Sequence, residues 1–167
     1  MTSPTGEVVV CDASPLIVLA RVGHLDLLRH LFRRVFIPPA VWSEVTRRPD
    51  APGAAVVAGA QWLLVRAPHG VATNRLGLGE REAMALAVEL RATLIVDDGM
   101  ARAVALAMGL TITGTLGVLR RAKHEGLIVA VRPILDQLQA NGLHVAEPLA
   151  HAFIRELGEE EFEREHP

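Results

Sequence analysis

A three-layer α/β sandwich around a mostly parallel sheet of four to five strands is the fold this sequence predicts. Three observations lead there. Short apolar runs rich in β-branched residues recur along the chain, of the continuous type that lies buried on both faces of a parallel sheet. Each is followed by a segment carrying helix-start signals and closed by glycine or proline. Finally, 167 residues, 50% of them hydrophobic, suffice for one domain with a sizeable core.

Glu7–Cys11 (Glu-Val-Val-Val-Cys) is the first strand, and it ends at Asp12. Ser14 offers an N-cap and Pro15 a first helical residue, so Leu16–Val22 continues as helix up to Gly23. A second helix is expected at about Leu25–Phe32, then a short strand Val35–Ile37 closed by Pro38-Pro39. Pro39 opens a helix over Ala40–Arg47, Ala54–Ala60 reads as helix, and Trp62–Val65 reads as a strand. Ala67–Gly77, holding Pro, His, Gly, Thr and Asn, is the longest loop expected. Glu80–Arg91 is strongly helical, and Thr93–Val96 is a strand that runs into Asp97-Asp98. A helix at Gly99–Met108, a strand at Leu110–Ile112, and helices at Gly114–Glu125, Pro133–Asn141 and about Pro148–Leu157 complete the pattern of strands alternating with helices. Residues 1–157 read as the domain, and the acidic stretch 158–167 as a solvated, frayed tail.

Composition narrows the function. The longest apolar stretches, Pro15–Ala20 and Ala83–Val88, fall far short of the roughly 18–20 residues a bilayer requires. Met1–Glu7 is polar without a basic flank and does not read as a secretory signal. The single cysteine, Cys11, excludes a disulfide scaffold and a multi-cysteine zinc site and suits a reducing cytoplasm. A net charge of −2 argues against coating nucleic acid through bulk positive charge, so a polyanion needs a local patch or a metal.

The chemistry-bearing residues are acids. Asp12 and Asp97-Asp98 end two strands, and in open parallel sheets ligands bind in the crevice beyond the carboxyl ends of the strands. Acids about 85 residues apart in sequence can therefore converge there. Crowded carboxylates repel one another unless a cation lies between them, and a hard divalent ion such as Mg²⁺ or Mn²⁺ suits oxygen ligands. For Asp12 or Asp98 alone, helix capping explains the residue equally well; the pair favours a site. Glu44 sits among Val41, Trp42 and Val45, an unusual setting for a solvated surface charge. Glu80 and Glu82 open a helix, where any acid gains from the positive helix end. They lie about 200° apart on an ideal helix, so one ion cannot use both equally. Alanines fill most of that helix surface, and periodicity does not choose between them.

Four ordered blocks carry a resemblance: Val-Val-Cys-Asp12-Ala-Ser14-Pro-Leu-Ile, Pro-Pro-Ala-Val-Trp-Ser-Glu44-Val, Gly-Glu80-Arg-Glu82-Ala-Met-Ala-Leu-Ala and Leu-Ile-Val-Asp97-Asp98. Together they resemble the acidic motifs of PIN domains, across about residues 7–157. Asp98-Gly-Met-Ala-Arg102-Ala-Val-Ala, Gly109–Gly117 and Ala122–Ile128 resemble a prokaryotic PIN-like subgroup related to VapC-type toxins. The resemblance implies a PIN-like fold and a metal-dependent endoribonuclease, often the toxin of a type II toxin–antitoxin pair that binds a cognate antitoxin and forms a homodimer. Carried over by position, Asp12, Glu44, Glu82 and Asp98 match the metal-binding acids, with Glu80 and Asp97 as alternates. Ser14 matches the hydroxyl residue supporting the first acid. The implied chemistry is in-line attack of water on RNA with Mg²⁺ or Mn²⁺ bound, leaving 5′-phosphate and 3′-hydroxyl ends without a covalent intermediate. A glutamate stands at the third position, where many PIN nucleases carry aspartate. The expected dimer contact is the apolar faces of Leu16–Val22 and Leu25–Leu31.

Other signals carry less. The histidine pairs His24/His30 and His144/His151 lack helical metal spacing. Gly77-Leu-Gly79 lacks the third glycine of a dinucleotide fingerprint. Arg33-Arg34, Arg47-Arg48, Arg102 and Arg120-Arg121-Lys123 are possible RNA contacts, though such clusters are more often plain solvated surface. The scarcity of aromatics (no Tyr, two Trp, four Phe) argues against a stacking platform for bases. Two rival readings remain: a catalytically silent PIN-like binding or dimerisation module, and a haloacid-dehalogenase-like phosphatase. The second is weakened by Ser14, which stands where many of those enzymes carry a second acid.

Overall fold

The computed structural model describes residues 5–159; Met1–Pro4 and residues 160–167, most of the acidic tail, lie outside the described residues. Five strands, β1 (Thr5–Cys11), β2 (Phe32–Ile37), β3 (Leu63–Val65), β4 (Thr93–Ile95) and β5 (Ile112–Thr113), form one sheet in the order β3-β2-β1-β4-β5. Every pairing is parallel. The helices among the described residues are α1 (Ala13–Arg21), α2 (Leu27–Leu31), α3 (Pro39–Thr46), α4 (Ala54–Ala58), α5 (Leu78–Leu90), α6 (Gly99–Ala107), α7 (Thr115–His124), α8 (Arg132–Ala140) and α9 (Glu147–Glu156). None is long and apolar enough to cross a membrane.

Burial on both faces explains the unbroken apolar runs. Val9, Val10 and Cys11 of the central strand are fully buried. Because side chains alternate across a strand, Val9 and Cys11 enter one core with Leu16 and Leu19 of α1, Leu28 and Leu31 of α2, Leu119 of α7 and Leu138 of α8. Val10, with Phe36 and Leu94, enters the opposite core with Met84 and Leu86 of α5 and Ala101 and Ala105 of α6. The α/β sandwich is therefore three layers, as the sequence predicts, and its sheet is wholly parallel.

Chain order fixes where a ligand crevice opens. From β1 the chain moves outward to β2 and β3, then returns to the other side of β1 to place β4 and β5. The connections reverse direction between β1 and β4, and a crevice at such a switch point lies beyond the carboxyl ends of those strands. Asp12 and Asp97 follow immediately.

Several boundaries differ from the sequence reading for local reasons. The second strand begins at Phe32 instead of Val35, because Phe32 and Arg34 pair with Thr5 and Val8 of β1 across a register shift, although Arg33 and Arg34 are exposed. The N-cap of α1 is Asp12, and Ser14 is already helical. The apolar faces of α1 and α2, expected to make a dimer contact, are instead spent in the chain's own core. The start of the tail is anchored: the Glu159 carboxylate accepts from the Val131 and Arg132 backbone N–H groups at 2.7 and 2.8 Å and from Lys123 Nζ at 2.5 Å. These bonds hold its carboxyl below the usual range against a desolvation effect that works the other way.

Fully buried Leu86, in the second half of α5, fills the second core. Leu86→Ala is expected to cost about 2–5 kcal/mol of folding free energy by leaving a cavity, measured as a lower urea midpoint with an unchanged slope.

Candidate active site

Asp12 lies where β1 ends, and its backbone N–H donates to the Ile95 carbonyl at 3.0 Å, binding the end of β1 to that of β4. The residue is only 5% exposed. Loss of water around its carboxylate is the main reason its pKa rises from 3.8 to about 7; the Ala13 N–H opposes the rise, while the charges of Glu80, Glu44 and Asp97 add to it. One buried carboxylate thus feels three others, contributed by α3, α5 and the end of β4.

Each neighbour is placed by a local feature. Glu44 is on the exposed side of α3, and its Oε2 lies 3.3 Å from the point a Cβ on Gly79 would occupy. The missing side chain at Gly79 lets this carboxylate lie against the start of α5. Half-buried Glu80 is in the first turn of α5, where its Oε2 accepts from the Gly77 N–H at 3.2 Å, satisfying an otherwise unpaired helix-start donor.

Asp97 is held more firmly. Its Oδ1 accepts from the Thr115 backbone N–H at 2.7 Å and its Oδ2 from the Thr115 hydroxyl at 2.5 Å. Thr115 is completely buried, so its hydroxyl has traded water for this one carboxylate. Gly114 makes the approach possible: a Cβ there would lie 2.7 Å from Asp97 Oδ1 and 2.9 Å from Arg102 Nη1. Arg102 Nη1 donates to the Val96 carbonyl at 2.8 Å, which sets a guanidinium beside the acids without an ion pair to any of them.

Glu82 and Asp98 have other partners. Glu82 Oε2 accepts from the Ala40 N–H at 2.9 Å, bracing α5 against the first turn of α3. Asp98 is exposed and caps α6, its Oδ2 accepting from the Ala101 N–H at 2.9 Å. Neither is among the main influences on the Asp12 carboxyl. Ser14 is exposed and its hydroxyl makes no hydrogen bond among the described residues. The Cys11 thiol is fully buried, and burial first, then Asp12 and Asp97, push its pKa well above the ordinary thiol value, leaving an inert core sulfur. Thr115 and Gly114 escape sequence reasoning because their partner Asp97 is 18 residues away; the only signal is a Gly-Thr pair following a strand at the crevice edge.

The donor set, four carboxylates and no sulfur or nitrogen, has the chemistry a hard divalent cation requires. As the side chains stand, no three acidic, histidine or cysteine groups among the described residues are gathered closely enough to hold an ion.

Two expectations follow from this geometry. The folded protein holds the Asp12 proton more tightly than the unfolded chain. The resulting stabilisation is complete below pH 3.8 and is lost as pH rises through about 7, a loss of about 4 kcal/mol. In a chelator, Asp12→Asn is expected to remove that component, seen as the difference between wild-type and variant urea stabilities at pH 4 and pH 8. At Asp97, Thr115→Val strips one donor from a half-buried carboxylate and is expected to cost about 1–3 kcal/mol, whereas Thr115→Ser retains the bond; equal stabilities for the two variants would contradict the assignment.

A family model described as "DUF3368: PIN domain" matches residues 8–159. Among solved structures, the chain is similar to a PilT N-terminus domain protein, SSO1118, from the hyperthermophilic archaeon Sulfolobus solfataricus P2. The two are 19% identical with a TM-score of 0.50, over 84% of this chain and 98% of that one, a likeness of fold alone. Among curated proteins, none matches. With its acids at the switch point of a parallel sheet and its match to the family over nearly the whole length, the chain belongs to the PIN-domain family.

Proposed function

We propose that this protein is a metal-dependent endoribonuclease whose ion is held by Asp12, Glu44, Glu80 and Asp97. Members of the PIN-domain family are typically nucleases; the residue set and the RNA substrate are our reading. The observation that carries it is the nearly complete burial of Asp12 among the charges of three further acids. Burying a carboxylate in such company is costly for a merely structural residue, and a Mg²⁺ or Mn²⁺ ion removes the cost. Glu80 and Asp97 stand in the roles that matching by sequence position gives to Glu82 and Asp98, because the charges of the former two, with that of Glu44, are the ones that bear most on Asp12.

When bound, the ion supplies Lewis-acid activation of water and neutralises charge growing on the phosphate. The chain's own groups do the rest. Asp97, clamped by Thr115, gives the pocket one rigid acceptor, and Glu44 and Glu80 close over it from α3 and α5. Asp12, the most buried of the four, would hold the ion as a carboxylate, and its proton affinity near neutrality belongs to the ion-free site. The Arg102 guanidinium keeps donors beyond Nη1 for a non-bridging phosphate oxygen. The finer family reading goes with this proposal: a cytoplasmic toxin of a type II pair, with a cognate antitoxin and a homodimer built on a surface other than α1 and α2.

A second reading is favoured by one observation, the absence among the described residues of three ligands already gathered for an ion. On that reading the chain is a silent PIN-like module. Calorimetric titration with Mn²⁺ alongside cleavage of single-stranded RNA separates the two. The nuclease reading predicts Mn²⁺ binding and cleavage that drop by about 100-fold or more in Asp12→Asn and Asp97→Asn, with far smaller losses in Glu82→Gln and Asp98→Asn. Undiminished Mn²⁺-dependent cleavage by Asp12→Asn would overturn it, and wild-type protein that neither binds Mn²⁺ nor cleaves would establish the module.

A further inference from the structure

The basic residues of this chain fall into two kinds. On α7, Arg120 is paired with Glu156, Arg121 with Glu7 and Glu125, and Lys123 with Glu159. That cluster is neutralised from within. Around Phe32, on which the Arg121 guanidinium stacks at 4.8 Å, the balance differs. Arg33 and Arg34 of β2 and His30 of α2 are exposed, and none is joined to a carboxylate among the described residues. Arg29 has only Asp26 at 3.6 Å, an exposed pair of little energetic weight. These four side chains line a cleft of about 290 Å³ together with half-buried Trp62. Arg29 and Trp62 also line an adjoining cleft of about 320 Å³, so the groove continues along the flank.

The sheet leaves this flank open. Strand β3 pairs only with Val35–Ile37, and the first half of β2, which carries the two arginines, has no strand on that side. Unpaired cations concentrated in a groove of a protein with net charge −2 repel one another. A polyanion relieves the repulsion, and a half-buried indole beside them offers a face on which a base can stack. Arg34 pairs with Val8 across the sheet. Asp12 lies four residues beyond Val8, about 13 Å along an extended chain, a distance that a single strand of RNA longer than a few nucleotides spans.

We propose that the groove formed by Arg29, His30, Arg33, Arg34 and Trp62 binds the sugar–phosphate backbone of single-stranded RNA outside the scissile phosphate. The cations contact phosphates and Trp62 stacks on one base, so the groove holds substrate length, not sequence. This inference rests on the proposed nuclease reading of the acid pocket, and it concerns a surface that shares no residue with that pocket.

The test uses the whole protein and a fluorescein-labelled single-stranded RNA of about 12 nucleotides. Binding is measured by anisotropy in EDTA across a range of salt, and cleavage is measured with Mn²⁺. The paired substitution Arg33→Ala/Arg34→Ala is expected to weaken binding at low salt about tenfold and to reduce the log–log salt slope by about 1.4, the loss of two phosphate contacts to a single strand. Arg33→Lys/Arg34→Lys should restore most of the binding, and Trp62→Phe should retain more than Trp62→Ala. In turnover, the alanine pair should raise KM for the long RNA with kcat unchanged, and leave hydrolysis of a dinucleotide as it was. In a variant whose urea stability matches the wild type, a loss on the dinucleotide equal to that on the long RNA would overturn the assignment. So would wild-type-like RNA binding by the alanine pair, or no RNA binding by the wild type. The two readings fail separately: inactive wild type with arginine-dependent RNA binding removes the nuclease and keeps the groove. Cleavage abolished by Asp12→Asn but indifferent to Arg33 and Arg34 keeps the nuclease and removes the groove.

Discussion

A carboxylate deprived of water organises this molecule. Asp12 emerges from the central strand of a parallel sheet, where both faces are covered by helices and little solvent reaches its side chain. In a medium of lowered dielectric its charge is expensive, and the nearby charges of Glu80, Glu44 and Asp97 make it more so. A fold under selection only for stability would place an apolar residue or a paired charge here. The arrangement makes physical sense when a cation completes it, and the unfavourable electrostatics of the empty pocket then become affinity for that cation.

The surroundings serve this constraint from three directions. Thr115, buried without any exposure, uses both its backbone and side-chain donors on Asp97. Gly114 and Gly79 lack the side chains that would push Asp97 and Glu44 away. Glu82, two residues beyond Glu80, spends its charge on the first turn of α3 and so keeps α3 and α5 in register. The helices that carry Glu44 and Glu80 are thus joined to each other beside Asp12.

Much of this was legible in the amino-acid order. A strand buried on both faces needs an unbroken apolar run, so Val8–Cys11 and Thr93–Val96 announced themselves, as did the acids that end them. The start of β2 was hidden because its exposed Arg33 and Arg34 break the apolar run, although Phe32 and Arg34 pair with β1. Glu80 and Glu82 could not be separated by pattern, since alanine-rich α5 offers no strong polar face and the deciding partner, the Ala40 N–H, is 42 residues away. Asp97 and Asp98 differ only in the direction their side chains leave the strand end, one toward Thr115 and the other back onto its own helix. Glu159 read as part of a solvated tail because its partners at Lys123, Val131 and Arg132 belong to other elements. Local signals located the acids; long-range contacts decided which of them share a pocket.

The central claim of the proposed function is that the buried Asp12 carboxylate, disfavoured by its neighbours' charges, is relieved by a shared cation. Its most direct test is the titration of the Asp12 carboxyl, followed by carbon-13 NMR with and without Mg²⁺. Without divalent ions the group should titrate at about 7, and saturating Mg²⁺ should move the transition well into the ordinary acidic range. A midpoint that does not respond to Mg²⁺ would contradict the account.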